Sequence, residues 1–349
     1  MPLDPALSDN PHTHVALVLG GGNALGAYHA GVYQALHERG CIPDWIVGTS
    51  IGAVNGALIA GNPADRRIER LRDLWRPGDS GWWPQPDEET RRTAAALATL
   101  VGGRPGFFAP IGPLGSWWLP DPAAGASSLY DTSPLTTTLG THVDFDLLNT
   151  GAIRFSALAV DVETGDEHVF DTTSTAVRAD HLRASTALLP GFTPIMVDGR
   201  MLVDGGLSAN LPLDPVLAAP PAATTLCIAV DLLPLNGAPP HSLGEGIQRM
   251  QDLMFAAQSR RSRERWREAY AAAPPLAPTG DPAAVTLVRL AYRDQEMEVA
   301  GKAMDFSPQS VAARWASGHR DATGLLDALA QRRVAPGAPG LTVYEPTDL

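Results

Sequence analysis

The sequence predicts an α/β fold in which a mainly parallel sheet lies between two layers of helices. Short apolar segments alternate with segments of helical spacing, which is the pattern of strands joined by crossover helices. Two of the apolar segments lead directly into glycine-rich turns, and each turn is followed by a helical pattern. An aromatic-rich insertion and a C-terminal helical extension complete the expected three-layer architecture.

The core is expected to cover residues 14–235, after a flexible N-terminus at residues 1–13 and before a mostly helical region at residues 236–349. The predicted core strands are Val15–Leu19, Trp45–Val47, Phe155–Val160, Met201–Val203 and Leu226–Val230.

The first strand leads into the glycine-rich loop Gly20–Gly26, and a helix follows from about Tyr28 to Arg39. Such a loop presents backbone N–H groups, which can hold a phosphate or the oxyanion of an acyl-transfer intermediate. A dinucleotide site is disfavoured, because the next strand does not end in the acidic residue that would hold a ribose.

A possible nucleophile stands in Gly48-Thr49-Ser50-Ile51-Gly52, between an apolar run at 45–47 and a helix-compatible run at 53–60. This context predicts a strand, a tight turn and a helix, with Ser50 at the apex. The flanking glycines let the backbone turn sharply, and a helix N-terminus stabilises a developing alkoxide. We therefore interpret Ser50 as a nucleophile rather than a structural turn residue.

A third motif is Asp204-Gly205-Gly206, which follows the short apolar strand Met201–Val203. An Asp-Gly-Gly sequence on its own is usually a turn. Active sites of open α/β sheets collect at strand ends, however, and the two earlier motifs make Asp204 a candidate base.

In this order, the three motifs resemble those of the patatin-like acyl hydrolases, over residues 14 to about 231. Three further stretches agree with the resemblance: Ala159–Gly165, Ala184–Ala187 with Pro190, and Asn210–Pro212. The resemblance implies a three-layer fold and a serine acyl hydrolase for carboxylic esters of lipid-like substrates. Some bacterial members of that family carry an extra C-terminal region of the kind expected here.

The resemblance also implies a Ser–Asp dyad, in which Ser50 attacks the ester and Asp204 takes its proton. The expected oxyanion donors are the N–H groups of Gly21, Gly22 and Asn23, with that of Ile51 as a further one. The motif glycines are Gly20, Gly26, Gly48, Gly52, Gly205 and Gly206.

The glycine-rich loop departs from the family pattern at two positions. Leu25 stands where the family usually has an arginine or lysine, and Asn23 stands where glycine is common. Because leucine forms no charge-assisted bond, we expect neutral esters to be preferred over phospholipids. Leu25 and Ile51 are expected to contact the substrate.

A histidine could in principle replace Asp204 as the base. The usual order of a Ser–Asp–His triad requires a histidine downstream of Asp204, which leaves His241 and His319, and neither stands in a catalytic context. His29 is interpreted as a packed side chain.

The insertion at residues 75–130 is rich in proline, glycine and paired aromatic residues, namely Trp82-Trp83, Phe107-Phe108 and Trp117-Trp118. As a cap or lid, it would offer Trp82, Trp83, Trp117 and Trp118 to an acyl chain, a membrane or a partner. These aromatic residues could equally form a satellite core under long loops.

The C-terminal region contains a predicted helix with a basic run at 260–268, a strand at Ala284–Ala291 and a closing helix at Ser310–Gln331. The basic run is expected to be a solvated face with internal Arg–Glu pairs, in preference to a site for lipid head groups.

The composition excludes several classes of protein. A net charge of −12 argues against binding to nucleic acid. The sequence has no metal-binding pattern, and its single lysine, Lys302, leaves little room for phosphate-loop or Schiff-base chemistry, so no metal or cofactor is expected. Cys41 and Cys227 are expected in the core. Without a signal segment or a membrane span, a cytoplasmic location is expected, and peripheral membrane contact is compatible with the lipid-like substrate.

Two alternatives to the hydrolase stay open at this point. An acyltransferase would use the same acyl-enzyme and pass the acyl group to an acceptor other than water. A catalytically decayed protein would keep the fold as a lipid-binding module or scaffold.

Overall fold

The structure is a computed structural model that describes residues 13–76, 87–112, 128–222 and 224–345. The strands are β1 Thr13–Leu19, β2 Trp45–Thr49, β3 Ala109–Pro110, β4 Tyr130–Asp131, β5 Arg154–Asp161, β6 Glu167–Asp171, β7 Ile195–Val197, β8 Arg200–Asp204, β9 Thr224–Asp231, β10 Ala284–Ala291 and β11 Gly340–Tyr344. The helices are α1 Ala27–Glu38, α2 Ile51–Ala60, α3 Arg67–Leu74, α4 Glu88–Gly102, α5 Ser133–His142, α6 Phe145–Thr150, α7 Ala179–Ser185, α8 Gly206–Ala209, α9 Asp214–Ala218, α10 Leu243–Ala272 and α11 Pro308–Ala330.

The central sheet has the strand order β11-β10-β9-β1-β2-β5-β8-β7, and β6 also pairs with β5. The six strands from β11 to β5 are parallel to one another, as predicted. Strands β6, β7 and β8 are added in antiparallel pairings. The strand β8, which carries Asp204, therefore runs opposite to the six parallel strands. A separate two-stranded sheet pairs β3 with β4.

Alternate residues of each parallel strand point into two different cores, which gives the three layers. In β1, Leu17 and Leu19 pack with α1, α2 and α11 on one face of the sheet. Ala16 and Val18 face the other side, where they pack with side chains of α9 and α10. The buried thiols Cys41 and Cys227 belong to these two cores, as their apolar contexts predict.

The C-terminal region does more than pack its helices against the core. Strands β10 and β11 extend the central sheet at β9, so the C-terminal region shares one sheet with the strands of the predicted core. Helix α11 covers one face of that sheet, and Trp266 and Tyr270 of α10 pack on the other. Of the helices in the described ranges, none combines the length and the apolarity needed to cross a bilayer.

Part of the aromatic insertion forms a packed cluster. Phe107 and Phe108 are buried, and each ring packs against Phe306 of the C-terminal region. Both residues and Phe306 belong to the main apolar cluster, so they pack in the core itself and not in a separate satellite core. The other aromatic pairs, Trp82-Trp83 and Trp117-Trp118, lie outside the described residues.

Helices α1 and α11 cross at two glycines. A Cβ atom on Gly31 would lie 1.9 Å from the carbonyl oxygen of Trp315, and one on Gly318 would lie 2.1 Å from that of Tyr28. Real Cβ atoms never come so close to a backbone oxygen, so the two helix backbones can touch only through glycine. This contact fixes the C-terminal helix against the helix that follows the glycine-rich loop.

We expect Gly318→Ala to destabilise the protein by at least about 1–3 kcal/mol, because the added methyl group forces the two helices apart. Gly324→Ala is the matched control in the same helix, since a Cβ atom there meets nothing within 4 Å. The control should instead gain about 0.5–1 kcal/mol. Denaturant unfolding of both variants measures the difference, and equal effects would contradict the close contact.

Candidate active site

Ser50 occupies a strained turn between β2 and α2. Its φ and ψ are 56° and −128°, a conformation that a residue with a side chain rarely adopts. The Ser50 N–H donates to the Oγ of Ser185 at 3.1 Å, which anchors the turn. Strain of this kind is found where a nucleophile is held at the apex of a strand-to-helix turn.

The glycines on both sides of Ser50 are required by close backbone contacts. A Cβ atom on Gly52 would lie 2.1 Å from the carbonyl oxygen of Leu19, and one on Gly48 would lie 2.5 Å from the N atom of Ala53. The start of α2 therefore lies directly against the end of β1 and against its own incoming strand.

Strand β5 brings Asp204 to the same place. Along one edge of β5, the pairing with β2 ends at Leu158, opposite Thr49, and the pairing with β8 begins at Ala159, opposite Asp204. Since β6 occupies the other edge at these residues, β2 and β8 share one edge and meet end to end. The backbone ladder thus places Ser50 next to Asp204.

The Asp204 carboxyl is buried, with 2% of the residue exposed. Its Oδ1 accepts a hydrogen bond from the Gly206 N–H at 2.7 Å. Burial raises the pKa of Asp204 to about 7, although the Gly206 N–H and the nearby Ser50 side chain both favour the ionised form. A carboxylate with this pKa can accept a proton near neutral pH.

The histidines considered as alternative bases lie in other settings. His29 is fully buried, and burial lowers its pKa to about 3, as fits a packed neutral side chain. The Nε2 of His319 lies 2.8 Å from a carboxyl oxygen of Glu38, between α1 and α11, and His241 is exposed. In the part of the chain that the structure describes, neither Ser50 nor Asp204 forms a hydrogen bond with a histidine.

The glycine-rich loop runs beside Ser50: a Cβ atom placed on Gly21 would lie 3.2 Å from the Cβ of Ser50. The expected oxyanion donors differ in their hydrogen bonding. The Gly21 N–H already donates to the carbonyl oxygen of Asn210 at 3.0 Å, so the fold uses this donor internally. The N–H groups of Gly22 and Asn23 stand at the start of the 3₁₀ turn Asn23–Gly26, where a helix has no carbonyl partner for them.

Two of the expected substrate-contacting side chains are in the core. Leu25 is 0% exposed and Ile51 is 3% exposed, and both belong to the main apolar cluster. The expectation that these side chains contact substrate is therefore wrong, since neither offers surface to a ligand. The backbone N–H of Ile51 still lies in the first turn of α2, where helices leave donors unpaired.

Two residues that hold the site, Ser185 and Asn210, had no predicted role. Besides accepting from the Gly21 N–H, Asn210 donates from Nδ2 to the Gly21 carbonyl oxygen at 3.3 Å. Ser185 binds the backbone of Ser50. Both residues lie in stretches that supported the family resemblance, so their positions carried a signal that their side-chain chemistry did not explain.

Among the described residues, no three His, Cys, Asp or Glu side chains are grouped so that they could hold a metal ion. The Lys302 ammonium is buried and donates to Asp252 at 2.9 Å and to Gln295 at 2.7 Å.

Two family models match the sequence. The model described as patatin-like phospholipase matches residues 17–217, which is more than half of the chain and includes all three motifs. The chain belongs to the patatin-like phospholipase family. A second model, described as patatin phospholipase, matches residues 245–337, so the C-terminal region of this family member also has counterparts elsewhere.

Curated relatives match the patatin-like chain at modest identity. A protein of the NTE family from Mycobacterium bovis is 28% identical over 68% of this chain and 55% of its own length. Lysophospholipase NTE1 from Mycosarcoma maydis is 28% identical over 67% of this chain and 10% of its own length. The chain thus spans about half, or much less, of the length of these relatives.

Two solved structures match the chain at low sequence identity. VipD from Legionella pneumophila is 16% identical, with a TM-score of 0.45 over 91% of this chain and 67% of the other. The effector protein ExoU is 14% identical, with a TM-score of 0.38 over 92% of this chain and 54% of the other.

The raised pKa of Asp204 predicts a pH-dependent cost to stability. Between pH about 4 and about 7, folded Asp204 keeps a proton that the unfolded chain has lost, so stability falls as the pH rises through this window. A shift of about three units corresponds to roughly 4 kcal/mol. Asp204→Asn removes this dependence and should therefore be more stable than the wild type at pH 8, by up to that amount.

Urea unfolding of the wild type and of Asp204→Asn at pH 4 and pH 8 measures this effect. The advantage of the variant should grow between the two pH values. An advantage that is the same at both would show that Asp204 ionises with an ordinary pKa.

Proposed function

We propose that this protein is a serine acyl hydrolase that cleaves carboxylic ester bonds of lipid-like substrates through a Ser50–Asp204 dyad. The observation that carries the proposal is the position of the strained Ser50 turn at the end of β2, beside the buried Asp204 carboxyl, whose pKa is raised to about 7. Membership of the patatin-like phospholipase family and the name of the lysophospholipase relative support the substrate class.

In the first half of the reaction, Asp204 takes the proton of the Ser50 hydroxyl as Oγ attacks the ester carbonyl. The carbonyl oxygen becomes an oxyanion, which accepts hydrogen bonds from the N–H groups of Gly22 and Asn23. Collapse of this intermediate breaks the bond to the alcohol, which leaves with the proton from Asp204, and the acyl group stays on Ser50.

In the second half, Asp204 removes a proton from a water molecule, which attacks the acyl carbonyl. The same N–H groups stabilise the second oxyanion. Its collapse releases the carboxylic acid, and Asp204 returns the proton to Ser50. The N–H of Ile51, at the start of α2, is a third candidate donor for both intermediates.

Ser50→Ala and Asp204→Asn should each lower ester hydrolysis by about 10⁴-fold or more, and the double variant should be little worse, because the two groups act as one unit. Asp198→Asn, an exposed aspartate in the turn before β8, is the control and should keep wild-type activity. Rates with a nitrophenyl ester compare these four variants with the wild type. Substantial activity in Asp204→Asn would mean that another group is the base.

The wild-type kcat/KM should rise with pH to a plateau, with a midpoint near pH 7, because the free enzyme is active only when Asp204 is ionised. A profile measured from pH 5 to 9 tests this. A midpoint near pH 4 would contradict the role of a carboxyl with a raised pKa.

A further inference from the structure

A buried arginine of the C-terminal region lies against the glycine-rich loop. Arg314, on α11, is 0% exposed. Its Nη1 donates to the carbonyl oxygen of Ala24 at 3.2 Å, inside the 3₁₀ turn of the loop. Ala24 directly follows Asn23, whose N–H is a proposed oxyanion donor. The loop thus has a guanidinium beside it, although its own sequence has Leu25 where the family usually has a basic residue.

All five N–H donors of Arg314 are in use, which fixes the guanidinium in one orientation. Nη1 also donates to the Asp305 carbonyl oxygen at 2.7 Å, and Nη2 donates to that of Lys302 at 3.1 Å. The remaining donors form a two-bond pair with the Glu298 carboxylate, at 2.8 and 2.7 Å. Arg314 therefore has no N–H group left to bind a phosphate head group. The expected preference for neutral esters stays a prediction.

Glu298 is itself held in place, so the whole cluster is rigid. Burial opposes ionisation of Glu298, but its bonds with Arg314 outweigh burial and keep its pKa below the ordinary value. The carboxylate also accepts from the Tyr292 hydroxyl at 2.8 Å and pairs with Arg92 at 3.1 Å. The C-terminal region makes a second contact with the glycine-rich loop through Met304, whose sulfur accepts a hydrogen bond from the Asn23 side chain at 3.5 Å.

The two ends of the glycine-rich loop are anchored by other parts of the chain. Gly20 and Gly21 donate to the carbonyl oxygens of Val230 and Asn210, and the Gly26 carbonyl oxygen accepts from Asn55 of α2. The segment between them carries the proposed oxyanion donors. Among the described residues, the side chain that binds a backbone oxygen of this middle segment is that of Arg314.

Building on the proposed function, we propose that Arg314 is a positioning residue for the oxyanion loop. By holding the Ala24 carbonyl, it fixes the Ala24–Leu25 peptide, whose N–H donates to the Gly22 carbonyl oxygen at 3.1 Å and closes the turn. The closed turn aims the N–H groups of Gly22 and Asn23 towards Ser50. The C-terminal region thereby supplies the guanidinium that the loop lacks at Leu25. Arg314 acts through the loop and does not touch the substrate.

The first test is hydrogen–deuterium exchange of the loop in Arg314→Met, which does not depend on any activity. Exchange in a peptide covering residues 20–28 should speed up in this variant. Arg92→Met is the matched control, because it removes a buried arginine from the same Glu298 cluster without touching the loop. Unchanged exchange in Arg314→Met, or the same increase in both variants, would overturn the proposal.

The second test compares hydrolysis of a carboxylic ester with that of its thionoester, in which a sulfur atom replaces the carbonyl oxygen. Sulfur is a weak hydrogen-bond acceptor, so the ratio of the two rates reports the oxyanion contacts. Arg314→Met should lower kcat for the oxygen ester about 10- to 100-fold with little change in KM. The rate for the oxygen ester divided by that for the thionoester should therefore be smaller than in the wild type. Loss of folded protein would lower both rates and leave the ratio unchanged.

Because Arg314→Met takes the two-bond partner from the buried Glu298 carboxylate and leaves it with Arg92 and Tyr292, Glu298→Met/Arg314→Met is measured beside it. The double variant should show the same faster exchange and the same smaller ratio. If the double variant kept the wild-type ratio of oxygen-ester to thionoester rates, the proposed role of Arg314 in the oxyanion loop would be overturned. Full activity in Ser50→Ala would overturn the proposed function instead, while the exchange data would still decide whether Arg314 holds the loop.

Discussion

The site depends on the way in which two strands share one edge of β5. The parallel strand β2 stops opposite Leu158, and the antiparallel strand β8 arrives opposite Ala159, so their ends meet. Backbone hydrogen bonds therefore fix the distance between the Ser50 turn and Asp204, and neither side chain needs a flexible element to reach the other. The close contacts at Gly48 and Gly52 follow from this arrangement, because the helix after Ser50 must start where β1, β2 and β8 all end.

The same arrangement determines the electrostatics of the proposed dyad. A carboxyl between packed strand ends loses its hydration, and its pKa rises to about 7. A carboxylate with an ordinary pKa is a poor base for a serine hydroxyl, whereas a buried one matches the proton affinity needed near neutral pH. The protein thus trades stability above pH 4 for a stronger base. A buried carboxyl of this kind can act as the base without a histidine, and among the described residues no histidine forms a hydrogen bond with Ser50 or Asp204.

Much of this arrangement could be predicted from local sequence. The apolar runs before Gly20, Gly48 and Asp204 became strands, because short apolar segments followed by glycine have few other stable conformations. The antiparallel direction of β8 and the bond from Gly21 to Asn210 could not be predicted, since they depend on contacts between distant segments. The contact of Arg314 with Ala24 could not be predicted for the same reason, since the two residues are 290 positions apart in the sequence. Local patterns describe the helix of Arg314 only as amphipathic. Leu25 shows a related limit: the loop motif places its backbone, but packing turns its side chain into the core.

The most direct test of the proposed dyad is the rate at which a fluorophosphonate probe labels the protein, followed by peptide mass spectrometry between pH 5 and 9. A phosphonate forms its covalent bond only with an activated nucleophile held near oxyanion donors. The proposed dyad predicts a single adduct on Ser50, with a labelling rate that rises through a midpoint near pH 7 and is lost in Asp204→Asn. Absence of labelling, or a pH-independent adduct on another residue, would contradict it.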